Sequence, residues 1–312
     1  MTKEQGNSIK NIKVNSLKAW LFGIRPSSLG GALITVLVGA GLAHGTDPMG
    51  FSWWVASLCA LFACLMQVAA NLINDMVDFE RGLDEPDPSR IDRIYANGLI
   101  TEKAMKWGIV VVSVVGIIVG MAIYFIVREN LMYGGVELFL VGAVVVTCTF
   151  VYSMILAYHA VGDIAVLICF GILPVCTTYY VLTYRVDIDA LYASLIVGCS
   201  IDTLMILNNV RDVNEDREKS KVTSVVVLGQ KVGKGMYLIA GYLCVIFLMQ
   251  LWYHERITME GLVYTALPYL LLHSWTTFQL MAAQQPSEMD KLYYATPRNF
   301  TILGILLTIA LW

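Results

Sequence analysis

The chain has 312 residues, of which 57% are hydrophobic and only 14% are charged, whereas soluble domains carry roughly 25% charged residues. Charge depletion over such a length predicts a membrane protein rather than one large soluble core. The formal net charge of −3 creates no broad positive field, so nucleic acid is not expected as a partner. The seven cysteines form no CxxC pair, and the four histidines lack metal-ligand spacing, so neither a disulfide framework nor a zinc site is expected.

Apolar runs along the chain have the length of roughly 20 residues that crosses a bilayer as a helix. They predict spans at 22–43, 51–73, 107–127, 134–156, 162–184, 188–208, 235–253, 260–281 and 299–312. We therefore expect an all-α, polytopic transmembrane bundle of about nine helices, forming a single integral-membrane domain over residues 1–312. Residues 1–20 are interpreted as a cytoplasmic arm, because a cleavable signal peptide would place its apolar run sooner.

The basic residues predict the orientation of the chain in the membrane. With the N-terminus in the cytoplasm, the same side holds the connections 74–106 and 209–234 and 18 of the 21 Lys and Arg residues. The opposite side keeps only Arg128, Arg185 and Arg256. This asymmetry follows the positive-inside rule and predicts cytoplasmic loops in a bacterial cytoplasmic membrane.

The first of two acidic motifs begins where the second span ends. Asn71, Asp75 and Asp78 recur at i, i+4 and i+7, and this spacing places them on one stripe of a helix. Asn74 precedes the first aspartate, and Asp84 follows it in the loop. A single acidic stretch of this kind is more often a solvated loop than a site.

The second motif begins at the end of the sixth span and repeats the pattern. Asn208, Asp212 and Asp216 recur at i, i+4 and i+8, which again predicts one helical stripe. Arg211 and Lys221 lie within the same run. Because each motif ends the second helix in a block of four, we expect two related four-helix halves, plus a last helix, around one site.

Paired carboxylate stripes suit a magnesium–diphosphate site. Mg²⁺ prefers hard oxygen ligands and commonly shares them with substrate phosphates, while nearby Lys and Arg neutralise the outer phosphate oxygens. A metal ion bound in this way turns diphosphate into a better leaving group. The metal ligands predicted from the two motifs are Asp75, Asp78, Asp212 and Asp216.

These motifs resemble those of the UbiA superfamily of membrane prenyltransferases. Within it, the chain is most similar to the group that prenylates 1,4-dihydroxy-2-naphthoate in menaquinone biosynthesis. The stretches that carry the likeness are Arg25-Pro26-Ser-Ser-Leu29, Asn74-Asp75-Met-Val-Asp78, Gly162-Asp163 with Phe170-Gly171, and Asn208 to Gly229. Two departures are Ser220, where that group usually has Gly, and the absence of a proline turn between Met154 and Tyr158.

The resemblance implies transfer of a polyprenyl group from polyprenyl diphosphate to 1,4-dihydroxy-2-naphthoate, with loss of carboxylate and Mg²⁺ as the cofactor. The lipid bilayer is then the surroundings, and no obligatory protein partner is predicted. The four aspartates would act through the metal. The side chains that would position or neutralise the diphosphate are those of Asn71, Asn74, Asn208, Arg211, Lys221 and Arg25.

Three residues remain open between a site role and a structural role. Tyr152 is a candidate for stabilising an allylic cation through its ring face, but an ordinary core tyrosine fits equally well. Asp202, inside the sixth span, either borders the site or forms a structural hydrogen bond within the helix packing. Arg25 lies near the site by the family likeness, or it anchors the first helix at the interface.

Two other functions compete with the naphthoate prediction. The first keeps prenyl transfer and changes the acceptor, for example to 4-hydroxybenzoate. The second is a secondary transporter. Transporters tend to place charges near the bilayer midplane, whereas these carboxylates gather at one face.

Overall fold

The computed structural model describes residues 12–87 and 90–312, and over these residues the chain is helical, with no β-strand. Residues 1–11 of the predicted arm, and residues 88–89 of the first predicted loop, lie outside the described residues. The prediction of an all-α transmembrane bundle is confirmed.

The helices follow one another with short connections. The first seven are α1 (Leu17–Ile24), α2 (Pro26–Thr46), α3 (Trp53–Glu80), α4 (Glu102–Val127), α5 (Val136–Met154), α6 (Gly162–Thr183) and α7 (Ile188–Arg211). The rest are α8 (Val213–Glu218), α9 (Ser224–Leu228), α10 (Gln230–Tyr253), α11 (Met259–Ala282), α12 (Pro286–Met289) and α13 (Leu292–Leu311).

Within the described residues, eight helical segments are long and apolar enough to cross a membrane. They correspond to α2–α7, α10 and the combined α12–α13 segment. Helix α11 has 24 residues, but its polar side chains make it less apolar than these eight segments, so it is not counted among them. The predicted count of nine spans therefore stays a prediction, as does the relation between two four-helix halves.

The first predicted span is interrupted at its beginning. Arg25 has a left-handed backbone, with φ 53°, and separates α1 from α2. Pro26 follows at the first position of α2, where its missing N–H costs no helical hydrogen bond. The span therefore begins at Pro26 rather than at residue 22, because the chain turns sharply at Arg25.

The second acidic motif also differs from its prediction. Helix α7 ends at Arg211, Asp212 forms the link, and Asp216 belongs to the separate short helix α8. The predicted single stripe from Asn208 to Asp216 is therefore wrong. The first motif does lie on one helix, because α3 continues to Glu80 and carries Asn71, Asp75 and Asp78.

Helix α7 lies at the centre of the bundle and packs against α10, α6, α13 and α2. Two glycines allow α6 and α7 to approach very closely. A Cβ atom added to Gly171 would come within 2.7 Å of the Gly198 Cα atom and 2.8 Å of the Ser194 carbonyl oxygen. This contact fixes the second motif, at the end of α7, relative to the cavity that α6 lines.

Candidate active site

Asp75 lies at the base of the first motif and is only 1% exposed. Its Oδ2 atom accepts a hydrogen bond from the backbone N–H of Tyr95 at 2.9 Å. Its Oδ1 atom, like Oδ1 of neighbouring Asn74, is buried without a hydrogen-bond partner. Two acceptor oxygens are thus held in the protein and left free for a ligand.

Asn71 connects the first motif to the α1–α2 break. Its Nδ2 atom donates to the carbonyl oxygen of Ile24 at 3.0 Å and to Oγ of Ser28 at 2.8 Å. Its Oδ1 atom accepts from Nε2 of Gln67 at 3.0 Å. The structure therefore gives Asn71 a role in holding the break together, beside its predicted role towards the diphosphate.

Arg93 balances the charge of the first motif. Its Nη1 atom lies 2.8 Å from Oδ2 of Asp78 and 2.9 Å from Oδ2 of Asp84. Burial lowers the pKa of Arg93, but the two carboxylates outweigh burial and raise the pKa above its ordinary value. From the sequence alone, Arg93 is one of the 18 basic residues on the predicted cytoplasmic side, and nothing in the motif spacing reveals this contact.

Tyr158 links the first motif to the turn after α5. Its hydroxyl donates to Oδ1 of Asp78 at 2.6 Å, and its ring lies 4.1 Å below the Arg81 guanidinium carbon. Burial and Asp78 both raise the pKa of the Tyr158 hydroxyl, so this group donates rather than ionises. The proline-free turn from Met154 to Tyr158 thus serves as one wall of the site.

The second motif also pairs its acids with nearby bases. Arg211 contacts Asp212 twice, with Nε at 2.6 Å from Oδ1 and Nη2 at 2.8 Å from Oδ2. Nζ of Lys221 lies 3.4 Å from Oδ1 of Asp216. Burial raises the pKa of Asp216, and Lys221 opposes that rise. Oδ2 of Asp216 and Oδ1 of Asn208 are buried and unpartnered, as in the first motif.

Two contacts join the second motif to the loop of the first motif and to the turn after α5. Nζ of Lys219 donates to the carbonyl oxygen of Leu83 at 2.5 Å. The backbone N–H of Val222 donates to the carbonyl oxygen of Tyr158 at 3.3 Å. Between them, Ser220 has φ 56°, a left-handed conformation that suits the Gly of the naphthoate group better than Ser.

The donor set fits Mg²⁺ by its chemistry. Unpartnered buried oxygens come from Asn74 and Asp75 in the first motif and from Asn208 and Asp216 in the second. Hard oxygen ligands of this kind suit Mg²⁺ and the waters that it retains. In residues 12–87 and 90–312, however, no three His, Cys, Asp or Glu side chains form a metal cluster. The assignment of Asp75, Asp78, Asp212 and Asp216 as metal ligands stays a prediction.

Arg25 lies beside the first motif rather than on the membrane surface. Its side chain is 17% exposed, and Nε lies 3.3 Å from Oδ2 of Asp92. Burial and the nearby charge of Arg93 lower its pKa, and Asp75 is close enough to interact with it. Of the two interpretations of Arg25, proximity to the site agrees with this placement.

An apolar cavity of about 470 Å³ begins beside Asn71 of the first motif and continues along the helices. Residues of α2 to α6 line it, and Gln67, Ala70 and Tyr152 lie at the end near Asn71. Along α5 the lining extends from Leu138 to Tyr152, a length of about 21 Å at 1.5 Å per residue. Ile117 and Phe139 line the cavity and are also exposed on the outer surface, so the cavity reaches the lipid-facing side.

Tyr152 belongs to the wall of this cavity. It is 6% exposed, and its ring meets Phe170 edge to face, with the ring centroids 5.7 Å apart. Asp202 lies within electrostatic range of Tyr152, and its Oδ1 atom is buried without a partner. Tyr152 therefore lines the cavity, whereas Asp202 lies near Tyr152 but is not one of the lining residues.

The whole-chain comparison identifies the class of protein that this fold and site define. The sequence profile of the UbiA prenyltransferase family matches residues 32–303, and the chain belongs to this family. Similar curated proteins are two 1,4-dihydroxy-2-naphthoate octaprenyltransferases. The Haemophilus influenzae protein is 28% identical, over 95% of this chain and 96% of its own length. The Escherichia coli protein is also 28% identical, over 95% of this chain and 94% of its own length.

Solved structures with the same fold are UbiA homologues from archaea. The apo Aeropyrum pernix structure has a TM-score of 0.71 at 13% identity, covering 92% of this chain and 99% of that one. An Archaeoglobus fulgidus homologue bound to GPP and Mg²⁺ has a TM-score of 0.65 at 15% identity, covering 93% and 99%. The predicted UbiA membership and the likeness to the naphthoate group are both confirmed.

Proposed function

We propose that the chain transfers a polyprenyl group from polyprenyl diphosphate to 1,4-dihydroxy-2-naphthoate, which loses its carboxylate to give a demethylmenaquinol, the reduced form of a demethylmenaquinone. The observation that carries this proposal is the apolar cavity that ends beside Asn71 of the first acidic motif, whose loop Lys219 joins to the second motif. A polyprenyl chain fits such a cavity, and its diphosphate fits the polar end. The relatives named for dihydroxynaphthoate favour this acceptor over 4-hydroxybenzoate, and family membership favours prenyl transfer over transport.

The diphosphate is held at the junction of the two motifs. Bound Mg²⁺, carried by the motif oxygens, would neutralise the charge that develops on the leaving diphosphate. A UbiA homologue from A. fulgidus with the same fold is bound to GPP and Mg²⁺, which supports this assignment. Arg93, Arg211 and Lys221 now pair with motif aspartates and can turn towards phosphate oxygens when the ligand arrives.

In the transfer itself, the protein forms no covalent bond with either substrate. The bond between the allylic carbon and the diphosphate oxygen breaks, and the diphosphate leaves with the electron pair. An electron-rich ring carbon of the acceptor then attacks the allylic carbon, and the carboxylate leaves as CO₂. The ring of Tyr152, in the cavity wall, stabilises positive charge on the allylic carbon through its π face.

The bilayer supplies the surroundings for this reaction, and the basic residues orient the chain in it. The acidic motifs and their loops face the cytoplasm of a bacterial cell, where soluble naphthoate has access. This orientation rests on the placement of 18 of 21 Lys and Arg residues on one side. The prenyl chain enters from the lipid through the side of the cavity near Ile117 and Phe139.

The test combines purified protein in lipid with a polyprenyl diphosphate and dihydroxynaphthoate. We expect a prenylated product without the carboxylate, together with CO₂. EDTA should stop turnover, and added Mg²⁺ should restore it. Turnover that continues unchanged in EDTA would contradict the metal-assisted departure of diphosphate.

A further inference from the structure

Asp202 is a carboxylic acid within the membrane-spanning part of α7. It precedes Asn208 by six residues, which places it about 9 Å along the helix from the second motif. Its Oδ1 atom is buried and has no hydrogen-bond partner. Ionisable residues at such depth are costly and usually face a cavity or a partner. The free oxygen of Asp202 is therefore suited to accept a hydrogen bond from a ligand.

The surroundings of Asp202 suit a flat aromatic ring. On α7, Ile201 and Met205 flank it and pack in the same cluster as Tyr152 and Phe170. Phe170 lies in a π-helical segment of α6, Leu167–Ile172, a conformation often found at functional sites. The Tyr152 and Phe170 rings also line the prenyl cavity. A ring placed beside them would lie next to the end of the prenyl chain.

The charges around Asp202 select which end of an acceptor can approach it. The charged group that interacts with Asp202 is another carboxyl, that of Asp163, whose Oδ1 atom lies 3.4 Å from Nδ2 of Asn209. A carboxylate on the ligand would gain no favourable charge partner from these two carboxyls, whereas a hydroxyl could donate to the free oxygen. The basic residues Arg81, Arg93 and Lys221 lie instead at the motif end of the site.

We infer that Asp202 accepts a hydrogen bond from a ring hydroxyl of the acceptor and so orients the acceptor beside Tyr152 and Phe170. The acceptor carboxylate then points towards the basic residues of the motif loops. This inference rests on the proposed prenyl transfer and adds a specificity residue to it. Asp202 recognises the hydroxyl of the acceptor, while the two motifs bind the diphosphate of the donor.

The experiment compares Asp202→Leu, Asp202→Asn and the control Ser200→Ala in steady-state assays that vary each substrate separately. Ser200 lies on the same helix, but its hydroxyl donates to the carbonyl oxygen of Val197 in its own helix. We expect Asp202→Leu to raise the acceptor KM by about tenfold, which is within the usual cost of losing a buried hydrogen bond. The donor KM should stay within about twofold of the wild-type value in all three variants. Asp202→Asn, which keeps the shape and one acceptor oxygen, should lie between wild type and Asp202→Leu.

A second substrate separates hydrogen bonding from packing. Wild-type protein should disfavour a dihydroxynaphthoate whose hydroxyl next to Asp202 is methylated, each mono-ether being tried in turn, and Asp202→Leu should lose that discrimination. An unchanged acceptor KM in Asp202→Leu, or equal rises in both KM values, would overturn the inference. If the wild-type protein makes no product from dihydroxynaphthoate, the proposed acceptor is wrong. The same KM comparison on whichever phenol it does prenylate then decides the role of Asp202.

Discussion

Arg93 is the residue on which the charge balance of the first motif depends. Two carboxylates, Asp78 and Asp84, share its guanidinium, and its side chain is only 14% exposed. Arg90 contacts the same Asp84 at 3.1 Å, but its side chain is 48% exposed. The two arginines therefore provide a matched pair for testing how burial changes the contribution of an ion pair to the stability of the protein.

We expect Arg93→Ala to destabilise the protein by about 3 kcal/mol, because two poorly solvated carboxylates lose their counterion. Arg90→Ala should cost less than about 1 kcal/mol, since exposed ion pairs contribute little. Thermal unfolding of both variants in the same detergent measures the difference. Equal melting temperatures for the two variants would contradict a special role for Arg93.

The aspartates of the two motifs are expected to act in catalysis rather than in folding. Asp75→Asn and Asp212→Asn should each lower kcat by at least about 100-fold, the usual effect of losing one strong electrostatic contact at a reacting centre. Both variants should insert and purify like the wild type. Glu80→Gln is the control, because Glu80 ends the same helix as Asp75 but is exposed. Full activity in both aspartate variants would remove the metal-site assignment.

Single residues could be predicted where the motif spacing is local. Asn71, Asp75 and Asp78 occupy one face of α3 as their spacing required. Arg93 and Tyr158 could not be found in this way, because their contacts to Asp78 cross 15 and 80 residues. The sequence shows a basic residue and a tyrosine in loops, but not how those loops fold back.

At the scale of helices, the cavity lined by α2 to α6 is the element that we propose binds the prenyl chain of the donor. Small residues create its space, among them Ala63 on α3, which lies seven residues before Ala70 and hence about 10 Å deeper along the helix. Leu61 lies nearby on the same helix but is 48% exposed and is not part of the lining.

Ala63→Phe should fill the middle of the cavity and shift the preference of the protein towards shorter prenyl diphosphates. We expect the KM for a long-chain donor to rise by about tenfold, while a donor of two prenyl units is used nearly as well as before, because only the long chain reaches Ala63. Leu61→Phe is the control and should leave both KM values unchanged. A uniform loss with long and short donors would count against the cavity as the prenyl site.

Helix positions were predictable because the apolar runs are long and clearly bounded. The predicted spans 162–184 and 260–281 match α6 and α11 to within one residue at each end. The breaks at Arg25 and Asp212 were not predicted, because each depends on a backbone conformation that hydrophobicity does not record. The π-helical segment in α6 is a third such feature.

At the scale of the whole molecule, two distant segments of the chain form one polar end above one apolar cavity. The matching motifs predicted that arrangement, and the Lys219–Leu83 contact joins their loops directly. The sequence could not supply the turn after α5, which contacts both motifs through Tyr158. We therefore propose that the prenyl chain of the donor lies in the bundle, its diphosphate at the motifs and the acceptor between them.

The most direct test of this account is a competition assay in one vessel. Membranes that contain the protein receive one polyprenyl diphosphate, Mg²⁺ and equal amounts of dihydroxynaphthoate and 4-hydroxybenzoate, and the products are identified by mass. We predict a demethylmenaquinol, or the demethylmenaquinone that air forms from it during work-up, each a prenylated naphthalene ring system without the carboxylate. Prenylated 4-hydroxybenzoate as the main product would contradict it.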